Sequence, residues 1–175
     1  AEVPPNLVNF ALGKGYTFVD TDLHQNYQDT DPPKLTDGVL APQGHANEPG
    51  DAYLIGMYKG GANGLDATIV FDLEDSVTFQ IVRVSVYTRK GISIWYPDEI
   101  HFSVSDDGES WTDLGIVSSP LPPNEQQSHT TTWMVLDLKD APARGRYVKL
   151  FLSTRQKTSF IMMDEVEILG PPKAQ

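Results

Sequence analysis

Nowhere in this chain do apolar residues recur at helical spacing for three turns; where they recur, they do so at every second position. The clearest case lies within Gly91–Trp111. Ile100, Phe102 and Val104 alternate with His101, Ser103 and Ser105, the pattern of a strand with one buried face. Asp107-Gly108 then supplies a turn, because glycine takes positive φ without steric cost and aspartate bonds its own backbone. Ala67–Leu73 repeats the pattern with Ile69, Phe71 and Leu73 on one face. Val77–Thr88 is the longest strand candidate. Its apolar face changes parity between Ile81 and Val82, which predicts either a bulge or burial on both faces. Leu114–Val117, Trp133–Leu138 and Tyr147–Ser153 follow, the last reading as buried on both faces. Phe160–Leu169 closes the series, with Val166 and Ile168 alternating against Glu165 and Glu167. Leu7–Thr17 reads as a short strand or extended segment, and Gly56 interrupts Ala52–Tyr58. Short strands separated by Gly, Pro and Asp turns predict an all-β sandwich.

A chain of 175 residues is long enough to bury a core and is expected to form one domain, 1–175. The net charge of −11 argues against nucleic acid, whose phosphates demand a basic face, and disfavours anionic membranes. Neutral sugars and cations remain compatible with it. No cysteine is present, so disulfides and thiolate metal sites are excluded. No apolar run approaches the roughly 20 residues of a membrane-spanning helix. Catalysis has thin support: with 24 acidic residues a carboxylate pair is inevitable. Neither HExxH nor GxSxG occurs, and Gly60-Gly61 and Gly64 follow no strand-to-helix pattern.

The long connections hold the residues of interest. Phe18–Pro33 is polar and carries His24 and Tyr27; loops of this length are often functional. Lys34–Gly38 is a tight turn, and Val39–Asp51 is again loop-like. Gly91–Pro97 carries two adjacent aromatics, Trp95 and Tyr96, and Thr154–Ser159 is a basic loop with Arg155 and Lys157.

One series of motifs spans Leu7 to Gly170: Leu12-Gly13-Lys14, Lys34-Leu35-Thr36-Asp37-Gly38, Phe71-Asp72-Leu73, Phe102–Gly108, Trp111, Arg146-Tyr147-Val148 and Asp164–Ile168. In this order and spacing the series resembles the discoidin, or coagulation factor 5/8 type C, family, and within it the bacterial family 32 carbohydrate-binding modules. The resemblance implies a galactose-binding-like jelly roll of two antiparallel sheets. It implies a non-catalytic module that binds a glycan or polysaccharide, is secreted or extracellular, and is covalently linked to a catalytic domain in a larger enzyme. The alternative within the family is a discoidin-type adhesion or protein-interaction domain on a cell surface.

The same resemblance implies two sites. One is a structural calcium, with side chains from Asp37 and Glu165, carbonyls from Lys34 and Asp164, and further ligands from Val39–Pro42. That loop lacks the Thr-x-Trp run usual in the family. Calcium takes 6–8 oxygens, and a tight turn offers carbonyls beside a carboxylate. The other is a sugar site made by loops at one end of the sandwich. There an aromatic ring stacks on the apolar face of a pyranose and arginine forks onto vicinal hydroxyls. Trp95, Arg89 and Arg155 are the expected ligand contacts, joined by Phe160, Tyr27 and His24. Tyr96, beside Pro97, is expected to pack. Trp111 and Trp133, on strands, are expected in the core.

Overall fold

A computed structural model describes residues 3–42, 52–156 and 158–174. Two five-stranded sheets, antiparallel throughout, face each other. In chain order the strands are β1 (Val8–Asn9), β2 (Tyr16–Val19), β3 (Ile55–Tyr58), β4 (Leu65–Phe79), β5 (Ile81–Thr88), β6 (Glu99–Ser105), β7 (Thr112–Ser118), β8 (Thr130–Asp137), β9 (Ala143–Thr154) and β10 (Phe160–Gly170). The first sheet runs β1-β10-β5-β8, with β3 also paired to β10; the second runs β2-β4-β9-β6-β7. The sandwich expected from the period-two pattern is the one observed.

The core is built from the alternation. Ile69, Phe71, Ile100, Phe102, Val148 and Leu150 of the second sheet and Val82, Val84, Val86, Val166 and Ile168 of the first belong to one buried cluster. Each fully buried aliphatic or aromatic side chain contributes roughly 1.5–3 kcal/mol through removal of apolar area from water. No bulge accounts for the parity change after Ile81; the expected burial on both faces holds for the second half of the strand, where Val84, Ser85, Val86, Tyr87 and Thr88 are all buried, and the change itself marks a crossing between sheets. β4 ends at Phe79 in one sheet and β5 begins at Ile81 in the other, so Gln80 carries the chain across the sandwich. The backbone of Gln80 is held by bonds from its N–H to the Leu169 carbonyl and from the Leu138 N–H to its own carbonyl. The bulge in this part of the chain lies earlier, between Asp72 and Val77.

Three further expectations are corrected. Trp111 and Trp133 are half-buried on outer faces, not in the core. The Lys149 ammonium lies 4.2 Å from the Trp111 ring centroid, and the Arg83 guanidinium 4.5 Å from that of Trp133. An indole offers a cation a favourable ring face at the surface, so a Trp on a strand need not point inward. Tyr147–Ser153 is not buried equally on both faces: Tyr147, Lys149 and Phe151 form an outer, half-covered row. Gly56 does not interrupt its strand but lies within β3, because a Cβ there would stand 2.9 Å from the Tyr27 Cβ.

The described parts of the connection between β2 and β3, residues 20–42 and 52–54, fold over the outer side of the first sheet. Tyr27, Ala41 and Leu54 from it meet Tyr87, Met162 and Ile94 in a second buried cluster. A 3-10 turn, Lys34–Thr36, packs on β10 in the interval between the stretches paired to β3 and to β1.

Close backbone approach at the end of β10 yields a test. A Cβ on Gly170 would lie 2.2 Å from the Thr78 carbonyl oxygen and 2.8 Å from the Phe79 Cα, neither of which can swing away. Gly170→Ala should lower stability by about 1–3 kcal/mol, the usual cost of overpacking. Gly15→Ala, which meets nothing within 4 Å, should stay within about 0.5 kcal/mol. Urea unfolding of both variants checks this; equal midpoints would contradict the packing at Gly170.

Candidate functional site

The strand registers bring five connections to one end of the sandwich: those after β2, β3, β5, β7 and β9. The β6–β7 and β8–β9 turns and the residues around β1 and after β10 lie at the other end.

At the first end the sequence-predicted residues separate into groups. His24, Tyr27 and Phe160 come together, and Tyr58 at the end of β3 joins them. The His24 ring lies 5.5 Å from Tyr27, 4.8 Å from Tyr58 and 5.1 Å from Phe160, centroid to centroid. Tyr58 and Phe160 are 4.7 Å apart. The cross-strand pair Phe160↔Tyr58 sets this contact. Tyr27 is buried, whereas His24, Tyr58 and Phe160 are only partly covered. Arg89 donates toward the Tyr27 hydroxyl at 3.4 Å, so its guanidinium is directed at this group.

Trp95 is half-buried between Ile94 and Tyr96, both of which are buried. Ile94 belongs to the cluster under the long loop and Tyr96 to the main core, the packing role expected of Tyr96. The exposed apolar side chain of that loop is Ile92, 46% accessible. It sits in a 3-10 turn, Lys90–Ile92, closed by Ser93 in the left-handed region at φ 56°.

Two clefts open beside the aromatic group. The wider, about 860 Å³, has Phe18, Tyr58 and Leu65 as apolar surface and Asp20, Asp22, Lys59, Asn63, Asp66 and Arg155 as polar surface. The smaller, about 380 Å³, is lined by Tyr58, Phe160 and Ile92 with Ser93, Asn63 and Thr158. Tyr58 and Asn63 belong to both and form the ridge between them. Trp95 lines neither. Arg155 stands on the wide cleft with Nη1 2.8 Å from Asp66 Oδ1. The bond to Arg155 is the main cause that holds the Asp66 carboxyl below its ordinary pKa, while Asp66 raises that of Arg155. Both are largely exposed, so the pair positions the side chains and adds little stability. Asp98 fixes the same loop, accepting from the Arg155 backbone N–H and, at 3.0 Å, from the Gln156 amide.

Sequence reasoning missed Tyr58, Asn63, Asp20 and Asp22. The available signal was the glycine cluster after Tyr58. Gly64 is at φ +118°, and a Cβ there would lie 2.9 Å from the Thr154 carbonyl oxygen, so the β3–β4 loop presses on the end of β9.

The acidic residues of Asp164–Ile168 make a second feature. The ladder between β10 and β5 shifts register between Met163 and Glu165. Met163 and Val166 both face the core, so the extra residue leaves Asp164 and Glu165 together on the outer side, beneath the long loop. Asp164 Oδ2 accepts from the Ala41 N–H at 2.7 Å, and the Asp164 carboxyl also bonds Ser85. Glu165 accepts from the Gly38 and Val166 N–H groups. Asp164 Oδ1 and Glu165 Oε2 are buried with no hydrogen-bond partner. Burial, reinforced by the Asp37 charge, pushes Asp164 up to about 6 and Glu165 up to about 9. Asp37 itself is exposed and accepts from the Val39 N–H. Lys34 is buried, with its ammonium donating to the Gln28 and Leu54 carbonyls. Among the described residues no three His, Asp or Glu side chains converge as a metal cage.

The two-sheet antiparallel fold is like that of solved carbohydrate-binding modules, a family 32 module among them, and of a fucolectin. Solved structures share it at low identity. A chitosan-binding module from a Paenibacillus sp. IK-5 chitosanase/glucanase matches at TM-score 0.60 and 15% identity, over 93% of this chain and 99% of that one. A family 32 carbohydrate-binding module from Clostridium perfringens, solved with galactose, matches at TM-score 0.60 and 9% identity, over 94% and 98%. The fucolectin of striped bass serum matches at TM-score 0.62 and 14% identity, over 94% of this chain and 49% of that one. No protein-family model and no curated protein sequence matches the chain.

Asp98 gives the site its test. Asp98→Ala removes both bonds to the Arg155–Gln156 turn, so amide exchange should rise through the β9–β10 loop while the strands keep their protection. Unchanged exchange in that loop would show that Asp98 does not hold it.

Proposed function

We propose that the chain, as one module, is a non-catalytic carbohydrate-binding domain that binds a glycan with the loop end of its sandwich. The observation that carries this reading is the partly exposed aromatic group His24, Tyr58 and Phe160, set between two clefts lined by amides, hydroxyls and charged groups. Sugars need this combination: a ring to cover their C–H face, and fixed polar groups to read their hydroxyls. The neighbours solved with galactose and described as chitosan-binding support it by likeness of fold. In this reading Tyr58 and Phe160 form the stacking floor. Asn63 and Arg155 read hydroxyls, with Arg89 acting through Tyr27. Both ends of the described chain lie opposite this site. The same reading includes a covalent link to the catalytic domain of a secreted enzyme. No helix is long and apolar enough to cross a membrane.

Contact with one or two sugar rings predicts Kd between about 1 mM and 1 μM, roughly −4 to −8 kcal/mol. Calorimetric titration against a polysaccharide panel tests it. Tyr58→Ala should abolish binding to the best ligand with the fold retained, and Trp95→Ala should weaken it less. A Tyr58→Ala variant that binds as well as the native protein would move the site elsewhere.

We also propose a structural calcium at the acidic pocket. Asp37 and Glu165 would supply carboxylates, Lys34 and Asp164 carbonyls, and Val39–Pro42 the rest. The orphaned oxygens of Asp164 and Glu165 fit a cation better than a vacant apolar pocket. Bound there, calcium would supply the positive charge that these buried carboxyls lack. The pH sign follows from the raised carboxyls. Without metal, the folded protein holds protons that the unfolded chain has lost, so these two groups lower stability as pH rises from about 4 toward 9. Binding needs the Glu165 carboxylate ionised and therefore strengthens as pH rises toward 9. A cation at a hundredfold excess over Kd adds about 2.7 kcal/mol. The gap in melting temperature between calcium and chelator should widen from pH 5 to pH 8, and Asp37→Ala should narrow it. Coincident melting curves at every pH would remove calcium from the proposal.

A further inference from the structure

A sandwich of two open sheets has edge strands, and an open edge offers its backbone N–H and C=O groups to another chain unless it is blunted. Most edges of this molecule are blunted. β1 has two residues and β2 four. β3 has four, and the long loop covers it: the His24 N–H donates to the Gly56 carbonyl and the Tyr58 N–H to the Asp22 carbonyl, both at 2.9 Å. β7 has seven residues, but its register with β6 shifts between Phe102 and Ser103, and Gly115 sits at φ 143°. β8 has none of these devices. Its eight residues pair with β5 without a register shift, from Ile81↔Asp137 to Thr88↔Thr130. It contains no Pro, Gly or Lys, and Thr130–Leu136 carries no charge.

The ladder identifies which backbone groups of β8 face outward. The Leu138 N–H donates to the Gln80 carbonyl at 2.6 Å, one pair beyond Ile81↔Asp137. Antiparallel bonds fall on alternate pairs, so Leu136, Met134 and Thr132 bond β5, while the N–H and C=O of Trp133 and Val135 point to the open side. Among the described residues no strand pairs with β8 there. Met134 and Leu136 face the core, which puts Trp133 and Val135 on the outer face, Val135 being 44% accessible.

We propose that β8 is a self-association edge: two copies of this chain pair it antiparallel about a two-fold axis through Met134 and join two five-stranded sheets into one. In that register Trp133 stands opposite Val135 of the second copy, and the symmetry repeats the contact. An aromatic ring beside a β-branched side chain is a favourable cross-strand pair. Asp137 stands opposite Thr131, so no like charges meet across the seam. A chain of net charge −11 repels its own copy over most of its surface, and an uncharged edge is where that repulsion is least. The paired strands run in opposite directions, so the two loop ends point apart and neither is covered. The pairing is independent of what those ends bind.

The test is sedimentation of the whole chain with amide exchange at the same concentrations. A strand edge is small beside the roughly 1,200–2,000 Å² of a stable interface, so the chain should be monomeric near about 5 μM and mostly dimeric near about 500 μM. The mass should double and stop there, because one pairing uses up the edge. Exchange of the Trp133 and Val135 amides should slow at least about threefold over this range. Val135→Lys should abolish the dimer, although it makes the chain less negative and so weakens general repulsion. Val135→Pro, which removes only an N–H facing the seam, should do the same. Ile116→Lys, the same change at a more exposed side chain on β7, should leave the dimer intact. A monomer at every concentration, growth beyond a dimer, doubling without slower exchange at Trp133 and Val135, or a dimer that survives both Val135 changes would each overturn the inference. Should the Val135 variants unfold, the exchange of the native chain decides alone.

Discussion

One extra residue in β10 decides what the long loop has to cover. Simple alternation after Met163 would send Glu165 into the sandwich beside Val84 and Val86, where a carboxyl has no partner and burial is costly. The bulge restores the inward phase at Val166 and leaves Asp164 and Glu165 on the outer side. They do not reach water there, because the Lys34–Thr36 turn and the segment through Ala41 lie over them. Backbone N–H groups of Gly38 and Ala41 reach down to the two carboxyls and fix where the loop sits.

That anchoring matters because the loop serves two places. Upstream of the acids it contributes His24 and Tyr27 to the aromatic group; at the acids it contributes Asp37 and Ala41. The Lys34 ammonium ties the two parts, donating to the Gln28 carbonyl just past Tyr27 and to the Leu54 carbonyl just before β3. Tyr27 then packs on Gly56 within β3, so closely that no other residue fits there. The position of the ridge residue Tyr58, two residues on, follows from packing that begins beneath the long loop.

The sandwich itself was legible in the sequence because alternation is enforced by burial on one face, as at Ile100, Phe102 and Val104. Single strands failed where burial did not follow that rule. Gln80 crosses between sheets in one residue, which looks in sequence like a change of face. Trp111 and Trp133 look like core by size, yet each lies against a cation at the surface. The acids of β10 were legible as candidates, but their burial was not, since it is imposed by a loop more than a hundred residues away. His24, Tyr27 and Phe160 were expected at one loop end through the family resemblance, and the fold brings them together. Tyr58 carried no mark beyond the glycines after it, because its place depends on the β3–β10 register.

The loop end also shows why its charges bear on recognition more than on stability. Arg155–Asp66 is exposed, and such a pair contributes at most about 1 kcal/mol to folding. Its effect is local. With the guanidinium bonded to Asp66 and its own backbone N–H to Asp98, Arg155 presents a fixed direction in place of a mobile charge. Among the described residues no side chain bonds the Asp20 or Asp22 carboxylate, and the segment is held by the Asp22 carbonyl and the Thr21 hydroxyl. Pairing one charge and leaving its neighbours unpaired is costly only if the free ones are buried, and both are exposed. A cleft at the rim of a sandwich can therefore hold exposed carboxylates at little cost to the fold.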